Sequence, residues 1–175
     1  MLRAYSFSTY AMSPAIKPGD AALVDIAAYV NAGPKREDVV LFVPPKSDRV
    51  SQRLAAQHPF VKRVVAIAGD RASITGGWLY LNGRLRHERY IVGAINYDLR
   101  IRDYRIECRY PDMREWTLVK PVQGARTPRS AWQAPDRVPM GYYVVLGDNR
   151  NDSEDSHVFG FVHRSLILGK VVEVI

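Results

Sequence analysis

Apolar residues in this chain cluster in short runs of four to eight, each closed by proline, glycine or an Asx-rich turn, which is the pattern of β-strands rather than of long helices. Leu2–Tyr10 alternates loosely around Tyr5, Phe7 and Tyr10 and predicts a first strand. Ala11–Asp20 holds two prolines and a Gly-Asp pair, so a helix is excluded and an extended segment ending in a turn is expected. Ala21–Val30 fits a strand, and Asn31–Arg36 a loop. Asp38–Val43 is a short strand stopped by Pro44-Pro45, and Lys46–Pro59 is an exposed loop with one helical turn at Gln52–Gln57. Phe60–Asp70 is the most strongly patterned run, a buried strand rich in β-branched residues and closed by Gly69-Asp70. Arg71–Asn82 predicts a hairpin turning at Gly76-Gly77.

The stretch 84–138 is charged, rich in Tyr and Arg and broken by prolines, and is expected to be an inserted subdomain of strands and loops. The β-core is then expected over 1–83 and 139–175. Its second half holds a buried strand at Tyr142–Leu146, the polar turn cluster Gly147–Ser156, and strands at Phe159–Val162 and Ile167–Val174. Many short strands with Pro/Gly punctuation predict a mostly β fold, a barrel-like or sandwich core.

Composition narrows the function classes. The chain has 175 residues, 47% of them hydrophobic, enough for one globular domain with an insertion. No run reaches about 18 apolar residues, and Met1–Ser8 lacks the apolar region of a signal peptide. Cys108 is the only cysteine, which excludes an intrachain disulfide and a thiolate metal cluster. The net charge of +7 favours an anionic partner, and an acidic membrane surface fits it. Nucleic acid is not expected, because no zinc-finger spacing, RNA-binding aromatic signature or basic helix accompanies the charge. No metal or other cofactor is expected either: Gly147–Ser156 lacks the glycine position and terminal glutamate of a calcium loop. The oligomeric state is left open.

Lys62 stands inside the apolar run of Phe60–Asp70. Either it flanks an edge strand and extends to water with Arg63, or it is buried. Burial disfavours the ammonium form and turns a lysine into a base.

Four ordered motifs decide between these. They are A-M-S-P-A-I-x-P-G-D from Ala11, R-E-D-V-V-L-F from Arg36, V-K-R-V-V-A-I-A-G-D from Val61 and G-D-N-R-N-D-S-E-D-S-H-V-F-G from Gly147. In this order they resemble the signal peptidase I family of serine endopeptidases, whose members carry S-M-x-P-T-L, G-D-V-V-x-F, K-R-V-x-x-x-x-G-D and G-D-N-R-x-x-S-x-D-S-R-x-x-G. The resemblance covers about residues 9–83 and 139–172 and leaves 84–138 outside.

The resemblance implies a mostly β hydrolase core with a Ser/Lys dyad and no histidine base, a variant that needs a neutral lysine. It makes Lys62 the general base, Ser153 the hydroxyl that orients it, and Thr9 a contributor to the oxyanion hole. Asp155 becomes the acid of a supporting ion pair, with Arg63 as its partner. Where the family has arginine after the D-S pair, this chain has His157, which makes such a pair pH-dependent. Substrate contacts are expected at Met12, Pro14 and Val61, with an extended peptide lying along Phe7–Met12 by strand addition. The nucleophile position is Ala11, which carries no attacking atom; losing the serine of a serine protease costs about 10⁶ in kcat. Glu37, where the family has glycine, and Ala15, where it has threonine, are further departures.

Three explanations of Ala11 stand open: a Ser→Ala replacement in an active protease, a natural pseudoprotease that binds signal peptides or a partner peptidase, or a shift of the nucleophile to Ser13. A specialised pilin-processing peptidase of a conjugation system shares the same Ser/Lys layout. The self-cleaving SOS repressors do too, but need a helix-turn-helix that this chain lacks. The family's substrates are precursor proteins cut after a small-residue A-x-A site, on the outer (extracytoplasmic) face of the bacterial cytoplasmic membrane. Its members carry one or two N-terminal membrane helices; Met1–Ser8 starts about where such an anchor ends, so an anchor-free form is expected. Trp78, Trp116 and Trp132 are candidates for docking on lipid, or for packing.

Overall fold

The computed structural model describes residues 1–46, 53, 55–119 and 134–175. Among these residues lie thirteen strands in two antiparallel sheets. The first sheet is built, in spatial order, from β1 (Leu2–Ser6), β2 (Ala21–Asp25), β13 (Ile167–Val174), β3 (Val39–Phe42), β4 (Phe60–Ala66), β11 (Tyr142–Leu146) and β12 (Val162–His163). The second runs β10 (Thr117–Leu118), β9 (Arg105–Arg109), β8 (Asp98–Arg102), β5 (Ala72–Thr75), β6 (Trp78–Leu81), β7 (Arg84–Leu85). The fold is mostly β, as the punctuated apolar runs predict.

The hairpin expected around Gly76-Gly77 forms, with Thr75 opposite Trp78. It opens the second sheet, and strands from 84–118 complete it, so the position 83/84 falls inside that sheet. Val65, Ala66, Val144 and Leu146 of the first sheet pack in one core with Ile74, Leu99 and Ile106 of the second. The two sheets therefore share apolar interior rather than standing apart.

Local chemistry explains where the elements stop. The first strand ends at Ser6, earlier than the expected Tyr10, and the chain at Phe7 is tied to Asp20 and Gly19 by backbone hydrogen bonds. β2 ends at Asp25, whose carboxylate accepts the Ala27 N–H at 3.0 Å and turns the chain, so the strand expected to Val30 is cut short. The strand expected at Phe159–Val162 is a correction. Asp155 caps a one-turn helix, Ser156–Phe159, by accepting the His157 N–H, and Gly160 at φ 86° stops it; only Val162–His163 pairs as a strand. The helical turn expected at 52–57 falls partly outside the described residues; Arg53 and Ala55 within it are helical. Glu37 sits at φ 73°, the left-handed conformation that glycine adopts without strain, and its N–H donates to the Val64 carbonyl at 2.8 Å.

Beneath β3 and β4 a second core holds Phe42, fully buried, with its ring 6.3 Å from Phe60 and 6.0 Å from Phe159. That core fixes the strand that carries Lys62. Phe42→Ala is expected to lower stability by about 3–5 kcal/mol, a large part of the roughly 5–15 kcal/mol of a typical domain; urea unfolding of both chains measures it.

Candidate active site

β4 brings Lys62 to the site. Val40 pairs with Lys62 on one side of the strand, while Leu146 pairs with Arg63 on the other, so residue 62 lies between two central neighbours instead of on an edge. Its side chain is buried, 4% exposed, and its amine donates to the Val61 carbonyl at 3.1 Å. Burial pushes its pKa below the ordinary lysine value, against the opposing pull of Asp155, Glu154 and Asp148. Of the two alternatives in the sequence, the structure has the buried one.

β11 brings the second group. It runs into Gly147, and the turn that follows returns so that its two ends are tied: the Val145 N–H donates to Ser156 Oγ at 2.9 Å and the Gly147 N–H to Asp155 Oδ2 at 2.8 Å. Asp155 and Ser156 are wholly buried, and the buried Ser153 hydroxyl has no hydrogen-bond partner among the described residues. Asn149 reaches across to residue 11, its N–H donating to the Ala11 carbonyl at 3.1 Å and its side-chain amide to the Tyr10 carbonyl at 3.2 Å.

These pieces face an open groove of about 690 Å³. Thr9, Ala11, Val61, Lys62 and Ser153 all line it, together with the chain from Tyr5 to Tyr10 and the stretch 57–60. Five of the positions singled out in the sequence are thus brought to one surface, and the unsatisfied Ser153 hydroxyl belongs to a residue lining the same groove as the lysine. The donor set suits proton transfer. Among the described residues no group of His, Cys, Asp and Glu is arranged to hold a metal ion.

Other expectations are corrected. Arg63 does not pair with Asp155; its guanidinium forks onto Asp148, Nε to Oδ1 at 2.8 Å and Nη2 to Oδ2 at 2.7 Å. Asp155 instead meets His157, Nδ1 to Oδ1 at 2.6 Å, and Tyr97 stacks on that imidazole at 4.4 Å. Met12 is 1% exposed and packs with Ile16 and Val61, so it is core rather than a groove contact. Pro14 is exposed and does not line the groove. Ser13 cannot share a strand face with residue 11, because Ala11–Ala15 is a turn and not the expected extended segment; the Ser13 N–H donates to the Tyr10 carbonyl at 2.9 Å, and Ser13 is absent from the groove wall. Burial pushes the Cys108 thiol up to about 12, so it stays protonated at neutral pH and offers no substitute nucleophile.

Gly147, Asn149 and Arg150 are parts of the site that the residue types alone do not assign. A side chain at Gly147 would run into Ser153 Oγ and the Ala11 carbonyl, with the Ser153 Cβ 2.6 Å away. The glycine is a steric requirement for bringing residues 11 and 153 together. Gly147→Ala is expected to lower stability by about 1–3 kcal/mol through overpacking and to shift the Ala11 and Ser153 backbone resonances in NMR spectra; unchanged resonances there contradict it.

Known proteins resemble this chain throughout. The family model described as "Signal peptidase, peptidase S26" matches residues 1–175. A signal peptidase IB of Staphylococcus aureus is 31% identical over 168 residues, 95% of this chain and 74% of that protein. A signal peptidase I of Leptolyngbya laminosa is 29% identical over 161 residues, 92% of this chain; the chain spans 62% of that protein's length. A crystal structure of a signal peptidase I from Enterococcus faecalis aligns over 79% of this chain and 97% of that one, with 24% identity and a TM-score of 0.49. The chain belongs to the signal peptidase family, peptidase S26.

Proposed function

We propose that this chain has the frame of a membrane-associated serine endopeptidase that removes N-terminal signal peptides after small residues, with the cutting step disabled at residue 11. The observation that carries the reading is the buried Lys62 on a groove that is also lined by Ala11 and by Ser153, whose hydroxyl has no partner among the described residues. A lysine held there in its neutral form takes a proton from a hydroxyl delivered at position 11. In this structure the amine is held by the Val61 carbonyl, and Ser153 is the hydroxyl on the same groove that would orient it in the working enzyme. The alanine methyl has no proton to give and no attacking oxygen, so the chain holds a peptide and does not cleave it. An extended peptide lies along Phe7–Tyr10 and Val61, which line the groove.

The reading places the groove on the outer face of the cytoplasmic membrane, where precursors present their signal peptides. Among the described residues no helix is long and apolar enough to cross a membrane. The net charge of +7 supports contact with anionic lipid, and Trp78, half exposed, is available for it. Trp116 is engaged otherwise, with Arg100 4.1 Å and Arg109 4.9 Å over its ring; Trp132 lies outside the described residues. A second reading, a natural pseudoprotease that holds signal peptides or a partner peptidase, is favoured by the same Ala11 and differs in what restoring the hydroxyl does.

Ala11→Ser is expected to give cleavage of a fluorogenic signal peptide after its A-x-A site in detergent, and Lys62→Ala in that background to abolish it. Tight binding of the peptide by the parent chain with no cleavage by Ala11→Ser favours the pseudoprotease. Neither binding nor cleavage overturns both readings.

A further inference from the structure

A buried ion pair outside the dyad meets the site from the second sheet. The Arg150 and Glu88 side chains are 2% and 3% exposed and form a double fork, Nη1 to Oε2 at 2.7 Å and Nη2 to Oε1 at 2.6 Å. Burying both charges brings a desolvation cost, and an apolar pair of similar volume is often neutral or stabilising in such a place. Stability alone therefore does not account for the pair. What an apolar pair could not supply is the third bond, from Arg150 Nε to the Gly147 carbonyl at 2.9 Å.

Gly147 is thus held on both sides of its Cα by buried charged groups, its N–H by Asp155 and its carbonyl by Arg150. It is also the residue whose Cα abuts Ser153 and the Ala11 carbonyl. Glu88 sits in the connection between β7 and β8, and this connection touches the Gly147–Ser156 turn or the residues beside it at further points. Tyr90 donates to Glu88 at 2.9 Å, and its ring lies 4.0 Å from the Arg63 guanidinium that holds Asp148. Asn151 accepts the Asn96 N–H at 2.9 Å and donates to the Ala94 carbonyl at 3.0 Å.

We propose that Glu88 is a positioning residue of the groove: by neutralising and aiming Arg150 it fixes the Gly147 carbonyl, and with it the turn that brings Ser153 to the groove that Lys62 lines. The stretch 84–97, which shares no motif with the rest of the site, thereby acts as a brace. This deepens the peptidase reading, and its kinetic test rests on that reading.

Three variants separate positioning from mere stability. Glu88→Gln leaves Arg150 charged and half-paired and is expected to lower the melting temperature. Glu88→Leu combined with Arg150→Met replaces the pair by apolar groups and is expected to recover the melting temperature, yet not the Gly147 contact. The first readout is the titration of Lys62 in the parent chain and in both variants, followed through its Cε and Hε resonances. Lys62 is faced by Asp155, Glu154 and Asp148, and loosening the turn admits water to the amine. In both variants the midpoint is expected to rise toward the ordinary lysine value. The second readout, in the Ala11→Ser background, is a loss of about tenfold in kcat with KM changed less than about twofold, the signature of an interaction that acts on the reacting groups rather than on binding.

A double variant with recovered melting temperature and a Lys62 titration equal to the parent's overturns the proposal and leaves Glu88 a structural residue. If Ala11→Ser itself shows no cleavage, the peptidase reading fails, and the Lys62 titrations still decide the role of Glu88. Should Glu88→Gln not fold, the apolar double variant carries both readouts.

Discussion

The structure of the groove depends on one unfavourable act: placing a lysine amine inside a β-sheet. An ammonium in that position loses its hydration, and β4 offers it one carbonyl, that of Val61, in return. The cost is borne by what surrounds it. Val40 and Leu146 pair on either side of the strand at Lys62 and Arg63, and the Phe42, Phe60 and Phe159 rings pack beneath. The strand cannot slip by one residue without turning Lys62 out and Val61 or Arg63 in. An amine held this way has its affinity for a proton reduced by its burial, which is the property a lysine base needs.

A second set of charges holds the turn that follows β11. Asp155, Asp148, Arg63, Arg150 and Glu88 are fixed to backbone groups or to one another around Gly147. Their common effect is to present a hydroxyl, Ser153, without giving it a partner. An unsatisfied buried hydroxyl on the same groove as a buried amine is a poor arrangement for stability and a good one for chemistry. Residue 11 is held in the same space by its backbone, its carbonyl accepting the Asn149 N–H and lying against Gly147.

Much of this was legible in the sequence, for identifiable reasons. The Phe60–Asp70 run showed both the strand and the anomalous lysine, since β-branched neighbours are a local signal. Tyr142–Leu146 and Ile167–Val174 form strands with those bounds, because each is an apolar run closed by turn formers. The helix at Ser156–Phe159 was missed although Asp155 and Gly160 are a capping residue and a stop. The partner of Arg63 was not readable, because Asp148 and Asp155 lie in the same polar turn and only the fold of that turn sends one carboxylate outward to β4 and the other inward to Gly147. Met12 read as a groove residue and is core, since Ala11–Ala15 turns where an extended chain was expected. Glu88 carried no signal: a lone glutamate among arginines looks like a solvated charge until Arg150 is found behind it.

The claim on which the account rests is that Lys62 is buried at a net cost to its charged form. A lysine whose folded pKa lies below its unfolded one makes the folded state less stable at low pH, and stability recovers as pH rises from the folded value to the unfolded value near 10.5. The direct test is denaturant unfolding of the parent chain and of Lys62→Met, which keeps the length of the side chain and removes the charge, from about pH 6 to about pH 10. The account predicts that the methionine variant is the more stable at neutral pH and that its advantage shrinks as the pH climbs through the titration of the folded lysine. A parent chain more stable than Lys62→Met at neutral pH, or a difference that does not change with pH, would contradict it.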